Sequence, residues 1–129
     1  MLKRSDYALI SMPATAETIG SIDRGRLGLM KPTAFLINVA RAEILDEDAL
    51  YEALARCSIA GAALDVWYCY PREPGLSAPA TRPFHELPNV LMTPHVAGWT
   101  DGMLEARAKL IAENIRRVAC GVTPLNLIA

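Results

Sequence analysis

Three side chains of this sequence could bind an anion or transfer a proton, and each follows an apolar run. Arg41 comes after residues 34–39, and its guanidinium could hold a carboxylate through two parallel hydrogen bonds. His95 follows an apolar run that Pro94 ends, and its imidazole could give or take a proton near neutral pH. Asp65 closes another apolar run, where a carboxylate could accept an amide N–H. These residue types suit acid/base chemistry on a carboxylic acid.

Each of the three residues also has a purely structural explanation. Arg41 could cap a strand end or pair with Glu43 or Asp46. His95 could be an ordinary loop residue, and Asp65 could cap a helix or form an ion pair. Residue type and position alone leave both explanations open.

The surrounding sequence alternates between strand and helix patterns. Short apolar runs predict buried strands, and apolar residues at helical spacing predict helices, with Asp46 and Thr100 as N-caps and Gly121 just past the last helix. Such an alternation predicts an α/β fold with a parallel sheet. The predicted elements are a strand at 6–13, a helix at 21–30, a strand at 34–39, a helix at 46–57, a strand at 58–66, a proline-rich loop at 68–87, a strand at 90–93 and a helix at 100–120.

Composition and charge exclude several classes of function. The chain has 129 residues and a net charge of −1, without a basic stripe, so neither nucleic acid nor a membrane surface is an expected partner. Its apolar runs are shorter than the roughly 18 residues of a membrane span, and no signal-peptide pattern opens it, which predicts a cytoplasmic location. Cys57, Cys69 and Cys120 lack metal-ligand spacing, so we expect free thiols and no metal site.

A pattern common in dinucleotide-binding domains is missing. The sequence contains no Gly-x-Gly-x-x-Gly, and Gly20, Gly25 and Gly28 neither fit that spacing nor follow a strand. The acidic residue about 20 positions later that holds a ribose is absent as well. The chain therefore lacks the usual cradle for a pyrophosphate.

Three segments nevertheless resemble, in order, the D-isomer-specific 2-hydroxyacid dehydrogenase family. They lie at residues 38–41 with 44–50, at 62–67 and at 87–95. The closing helix completes the likeness, which covers nearly the whole chain. It implies a Rossmann-like parallel sheet with flanking helices that lacks the first βαβ half. Residues 1–129 would be the C-terminal part of a dinucleotide-binding domain, with 122–129 a tail that returns to an absent substrate domain.

The resemblance implies a role for each candidate residue. Arg41 would bind the substrate carboxylate, His95 would be the acid and base for the hydroxyl proton, and Asp65 would contact the nicotinamide carboxamide. The reaction would be hydride transfer between NAD or NADP and a small D-2-hydroxy acid or 2-keto acid. The residues expected to flank the cofactor are Met12, Pro13, Val39, Ala40 and Gly98.

One position departs from the family pattern. Most members carry a glutamate five positions after the aspartate, where it hydrogen-bonds the histidine and favours its protonated form. This chain has Tyr70 at that position. Glu73 lies three residues further on and would be the partner if the loop carries an insertion. We favour Tyr70, since Pro71 stiffens the loop.

Two functions from different classes follow. The first is an oxidoreductase segment that is inactive as an isolated fragment, with NAD affinity weaker than millimolar, or less than about 4 kcal/mol. The second is a non-catalytic half-domain that pairs through its exposed sheet edge. Because unpaired apolar edges recruit partners, we expect a homodimer through the first strand.

Overall fold

In the computed structural model, which describes residues 1–71 and 77–128, four strands form one parallel sheet. They are β1 (Tyr7–Ile10), β2 (Phe35–Asn38), β3 (Gly61–Leu64) and β4 (Val90–Met92), in that spatial order. The register aligns Leu9 with Ile37, Ile37 with Ala63 and Ala63 with Leu91. The predicted α/β class with a parallel sheet is confirmed.

One α-helix lies between β1 and β2, one between β2 and β3, and one follows β4. They are α1 (Arg24–Leu27), α2 (Glu47–Ala55) and α3 (Met103–Ala119), with 3₁₀ turns at Leu2–Arg4, Ala42–Ile44 and Phe84–Glu86. Asp46 caps α2 as predicted, because its side chain accepts the Ala49 N–H at 2.8 Å. Among the described residues, no helix is both long and apolar enough to cross a membrane.

The first helix is shorter than the predicted span of 21–30. It begins after Asp23, whose side chain accepts the Arg26 N–H at 2.8 Å. Ile22 instead forms an isolated parallel bridge with Leu45, which keeps the chain before Asp23 extended. A distant pairing of this kind overrides the local helical pattern.

The predicted N-cap of the last helix is wrong, whereas its predicted end is confirmed. Gly102, and not Thr100, precedes α3, with a φ of 79° that suits glycine and without a side-chain cap. At the other end, Gly121 has a φ of 68° and donates its N–H to the Val118 carbonyl. The Val122 N–H donates to the Arg117 carbonyl at 2.8 Å, which completes a Schellman motif.

The core lies on one face of the sheet. Ile10, Leu36 and Leu64 alternate along their strands with more exposed residues and join one apolar cluster with Leu27 of α1 and Leu50 of α2. Burying a side chain of this size stabilises the fold by about 1.5–3 kcal/mol. The buried faces of the strands and of both helices therefore form one continuous core.

The opposite face of the sheet carries exposed apolar side chains. Tyr7 and Leu9 of β1 are 69% and 61% exposed, and Leu91 of β4 is 65% exposed. Tyr7 stacks on Phe35 across the β1–β2 pair, with ring centroids 5.8 Å apart. Contiguous apolar surface of this kind commonly marks an interaction site.

The chain divides into two compact units, Met1–Ala97 and Gly98–Ala129. The second unit consists of α3 and the segment after it, where Asn114 Oδ1 accepts the Leu125 N–H at 2.7 Å. On the same helix, hydrogen bonds from Arg116 and Arg117 lower the pKa of Glu113 to about 2. These i,i+3 and i,i+4 pairs support an exposed helix.

Candidate functional site

The carboxyl ends of β1 and β2 form a cleft of about 490 Å³. Parallel strands end at the same sheet edge, so the segments after them come together there. The cleft brings together five of the predicted site residues. They are Met12 and Pro13, which follow β1, and Val39, Ala40 and Arg41, which follow β2.

A buried asparagine shapes the turn that carries Arg41. Asn38 ends β2 and is fully buried. Its Nδ2 donates to the Arg41 carbonyl at 2.9 Å, and its Oδ1 accepts the Ala40 N–H at 3.0 Å. The side chain thus replaces backbone partners that the strand no longer supplies. The sequence analysis gave Asn38 no role of its own, and its only signal was a polar residue at the end of an apolar run.

Arg41 presents an exposed guanidinium at the cleft. Its Nη1 donates to the Ala40 carbonyl at 2.7 Å, and in the described ranges it forms no ion pair with Glu43 or Asp46. The ion-pair explanation for Arg41 is therefore wrong within those ranges. The remaining guanidinium donors can meet a carboxylate with two parallel hydrogen bonds.

His95 lies after β4, where Tyr70 contacts its ring. Tyr70 Oη is 2.9 Å from His95 Nδ1, and the Trp67 N–H donates to the same phenol oxygen at 3.2 Å. A phenol oxygen has two lone pairs, so it can accept from Trp67 and from a protonated Nδ1 together. His95 Nε2 makes no hydrogen bond within the described residues. The pair borders a cavity of about 410 Å³ that Cys69 and Met92 also line.

The alternative partner of His95 was Glu73, which lies outside the described residues. The hydrogen bond between Tyr70 and His95 is the contact that our preferred alignment requires. The role of Tyr70 in proton transfer stays a prediction. Gly98 is the first residue of the second unit, and its cofactor contact also stays a prediction.

Asp65 follows β3 and is only 4% exposed. Its Oδ1 accepts from Thr93 Oγ1 at 2.5 Å and from the Val96 N–H at 2.9 Å, and its Oδ2 accepts the Ala97 N–H at 2.9 Å. Burial raises the pKa of Asp65, but these hydrogen bonds and the nearby His95 outweigh burial, so the pKa lies below its ordinary value.

The carboxylate of Asp65 therefore already has partners within the chain. Thr93, which the sequence analysis did not select as a site residue, is one of them. The Thr93 carbonyl also accepts the Trp67 indole N–H at 2.9 Å, which joins the segment after β3 to the segment after β4.

The parallel sheet presents an arginine and a histidine after the carboxyl ends of its strands, which is where ligands bind in open α/β sheets. The family described as "D-isomer specific 2-hydroxyacid dehydrogenase, NAD binding domain" matches residues 1–97. The chain belongs to this family. The family predicted from the sequence motifs is thereby confirmed.

Individual relatives agree with this assignment. The chain is 40% identical over 128 residues to glyoxylate reductase of Pyrococcus furiosus, covering 99% of this chain and 36% of that protein. It is 38% identical to glyoxylate/hydroxypyruvate reductase B of Pectobacterium carotovorum, covering 38% of that protein. The chain thus spans a little over a third of the length of these relatives.

Solved structures share the fold. A D-isomer specific 2-hydroxyacid dehydrogenase from Lactobacillus delbrueckii ssp. bulgaricus, in its NAD-complexed form, has a TM-score of 0.84 at 30% identity, covering 99% of this chain and 41% of that one. A family member from Xanthobacter autotrophicus Py2 in complex with NADPH has a TM-score of 0.80 at 37% identity, covering 99% and 50%. Both cofactors therefore occur among the neighbours.

Proposed function

We propose that this chain is the catalytic half of the cofactor domain of an NAD(P)-dependent oxidoreductase. The reaction is the transfer of hydride between nicotinamide and a D-2-hydroxy acid or its 2-keto acid. The observation that carries the proposal is the hydrogen bond between Tyr70 and His95 Nδ1, which leaves Nε2 available for the proton. In reduction, the keto carbon gains a hydride and its oxygen gains a proton, which yields the hydroxy acid.

Arg41 and His95 divide the work on the substrate. Arg41 binds the carboxylate through guanidinium donors that the Ala40 carbonyl does not occupy. His95 delivers its Nε2 proton to the carbonyl oxygen in reduction and takes it back in oxidation. Tyr70 accepts a hydrogen bond from the Nδ1–H of the ring, which keeps that proton on Nδ1. Nε2 is then the nitrogen that gives and takes the proton of the reaction.

The cleft fits the nicotinamide end of a cofactor rather than a whole dinucleotide. Met12, Pro13 and Val39 offer flat or apolar surface, whereas the sequence has no glycine loop for the pyrophosphate. When bound, NAD or NADP supplies or accepts the hydride. Gly98 is proposed as a further contact by family resemblance. The rest of the cofactor requires a phosphate site beyond these residues, and the segment 122–129 is proposed to return toward a substrate domain.

Glyoxylate or hydroxypyruvate is the proposed substrate class. The support is the names of two relatives, a glyoxylate reductase and a glyoxylate/hydroxypyruvate reductase. Both compounds are small 2-keto acids whose carboxylate Arg41 would bind. The proposed location is the cytoplasm, which the three free cysteines support.

A second candidate function is a non-catalytic half-domain that pairs with another copy of the chain. The observation that favours it is the exposed apolar face formed by Tyr7, Leu9 and Leu91, next to a β1 edge without a neighbouring strand in the described ranges. Edge strands with unpaired backbone groups recruit partners. A homodimer is also compatible with catalysis, so the two candidates differ in activity and not in assembly.

The experiment is a chimaera in which residues 1–129 replace the matching segment of the Pyrococcus furiosus glyoxylate reductase. Oxidation of NADH and of NADPH is followed over a range of glyoxylate and of hydroxypyruvate concentrations, which gives both kcat and kcat/KM. We expect activity, a loss of at least about 100-fold in kcat for His95→Asn, and a loss of about tenfold or more in kcat/KM for Arg41→Gln.

The matched control is His85→Asn, which changes the other histidine of the chain and should leave both constants within about twofold of the parent. A folded chimaera that binds cofactor but does not reduce glyoxylate or hydroxypyruvate would contradict the proposed oxidoreductase. Full activity of the His95→Asn variant would contradict the role of His95.

A further inference from the structure

Asp65 has the partners of a loop anchor. Family resemblance implied that its carboxylate contacts the nicotinamide carboxamide. In the structure, both oxygens accept hydrogen bonds from the segment around His95, namely from Thr93 Oγ1 and from the backbone N–H groups of Val96 and Ala97. With 4% of its surface exposed, Asp65 has little room for a further partner.

The backbone at His95 explains why a carboxylate is needed there. His95 has a φ of 60°, in the left-handed region that residues other than glycine rarely adopt. This conformation turns successive N–H groups toward one point and forms a concave site for an anion. The Val96 and Ala97 N–H groups meet the Asp65 oxygens at 2.9 Å each. The anion that fills the turn is therefore a side chain of the chain itself.

We propose that Asp65 and Thr93 are positioning residues, which hold residues 95–97 in the turn that keeps the His95 imidazole against Tyr70. Thr93 assists by donating its hydroxyl to the same Oδ1 that accepts the Val96 N–H. That this anchor serves proton transfer by His95 rests on the proposed function. That Asp65 and Thr93 hold residues 95–97 does not. This anchoring is a property of the chain without cofactor or substrate.

The negative charge is the feature that an amide cannot replace. An asparagine at position 65 has one acceptor oxygen and an NH₂ group that would face a backbone N–H donor. Loss of the carboxylate should therefore free at least one of the two backbone N–H groups and let His95 leave the left-handed region. If the role of Asp65 were only to bind the nicotinamide carboxamide, its substitution would change the protein only when cofactor is bound.

The test uses the 129-residue chain without cofactor. Amide hydrogen exchange of Val96 and Ala97 and the imidazole ¹⁵N signals of His95 are measured by NMR at neutral pH, with His85 as an internal reference. In Asp65→Asn, we expect exchange at Val96 and Ala97 to accelerate by about tenfold or more. The His95 signals should move toward those of His85, because the ring loses its fixed partner.

Two further substitutions keep the test decisive if Asp65→Asn does not fold. Thr93→Val preserves shape but removes the hydroxyl, so it should accelerate amide exchange at Val96 and shift the His95 signals. Thr93→Ser keeps a hydroxyl, so its exchange rate and His95 signals should match those of the parent. Asp6→Asn, which removes an exposed carboxylate paired with Lys31, is the charge-matched control and should change neither.

The proposal is overturned if folded Asp65→Asn keeps the parent exchange rates and His95 signals. Where Asp65→Asn is unfolded, the proposal is overturned if Thr93→Val and Thr93→Ser give the same Val96 exchange rate and the same His95 signals. Because no step requires catalysis, an inactive chimaera in the activity experiment would leave this result intact, and the two proposals can fail separately.

Discussion

The residue that contacts His95 is a phenol, where most of the family is expected to carry a carboxylate. Tyr70 holds Nδ1 at 2.9 Å and is itself held by the Trp67 N–H. A phenol can orient the ring through a hydrogen bond, but it adds no full negative charge beside the ring. With Tyr70 in place of a glutamate, the His95 ring keeps a partner that orients it but lacks a negative charge that would stabilise its protonated form.

The candidate site shows which residues a sequence can indicate. Arg41 and His95 could be proposed as site residues because residue type, position after an apolar run and motif all agree, and their catalytic roles stay predictions. Asn38 and Thr93 could not, because their partners are fixed by turns that form only when distant strands align. A polar residue at the end of a strand is too common a feature to indicate such a role.

Lowering the pH should release the turn after His95. Because the pKa of Asp65 is lowered in the folded chain, its carboxylate contributes stability that is fully present above the unfolded value of about 3.9 and is lost as the pH falls through the folded pKa. We expect protection of the Val96 and Ala97 amides to be constant between about pH 5 and 7 and to decrease below about pH 4. Hydrogen exchange measured across this range checks the prediction. A decrease centred between pH 5 and 7 would contradict it.

At the scale of elements, local pattern predicted the order of strands and helices but not all of their limits. Asp46 and Gly121 could be assigned because capping chemistry is local. The start of α1 depends on the Ile22–Leu45 bridge, and the start of α3 depends on the positive φ of Gly102. Neither a distant bridge nor a backbone angle is visible in the spacing of apolar residues.

Gly61 allows β3 to approach β4 closely. A β-carbon at position 61 would lie 2.6 Å from the Asn89 carbonyl oxygen, which accepts the Ala62 N–H, and 3.1 Å from the ring of Phe35. We expect Gly61→Ala to lower the free energy of unfolding by about 1–3 kcal/mol, because the backbone must shift. Chemical denaturation measures the change.

Gly25→Ala is the matched control for this substitution. A β-carbon at position 25 would meet only Asp23 Oδ1 at 3.4 Å, so the change should be neutral or stabilising by up to about 1 kcal/mol. Equal stability of Gly61→Ala and the parent would show that the sheet tolerates a side chain at this strand pair.

At the scale of the whole molecule, the exposed face and edge of β1 should drive self-association. We expect a dimer or larger species in light scattering at high protein concentration, and Leu9→Lys should weaken it by at least about tenfold, because a charge on an edge strand opposes pairing. Leu91→Lys places the same charge on β4, at the other edge of the sheet, and should have a smaller effect. A monomer at all concentrations would refute the prediction.

Cofactor affinity should be low for the 129 residues alone. The cleft beside Arg41 is proposed to hold only the nicotinamide end of the cofactor, and the sequence has no glycine loop for its phosphates. We expect a Kd for NAD above about 1 mM, or less than about 4 kcal/mol of binding free energy. Calorimetric titration that gave a micromolar Kd would contradict this.

The pH dependence of glyoxylate reduction tests the central claim, that His95 transfers the proton with Tyr70 as its partner. The measurement compares kcat/KM across pH for the chimaera and its Tyr70→Glu and Glu73→Gln variants. A carboxylate at position 70 would favour the protonated ring, so Tyr70→Glu should move the alkaline limb of the profile to higher pH by about 1 unit or more, whereas Glu73→Gln should leave the limb in place. An unchanged limb in Tyr70→Glu together with a shift in Glu73→Gln would contradict the account and assign the partner of His95 to Glu73.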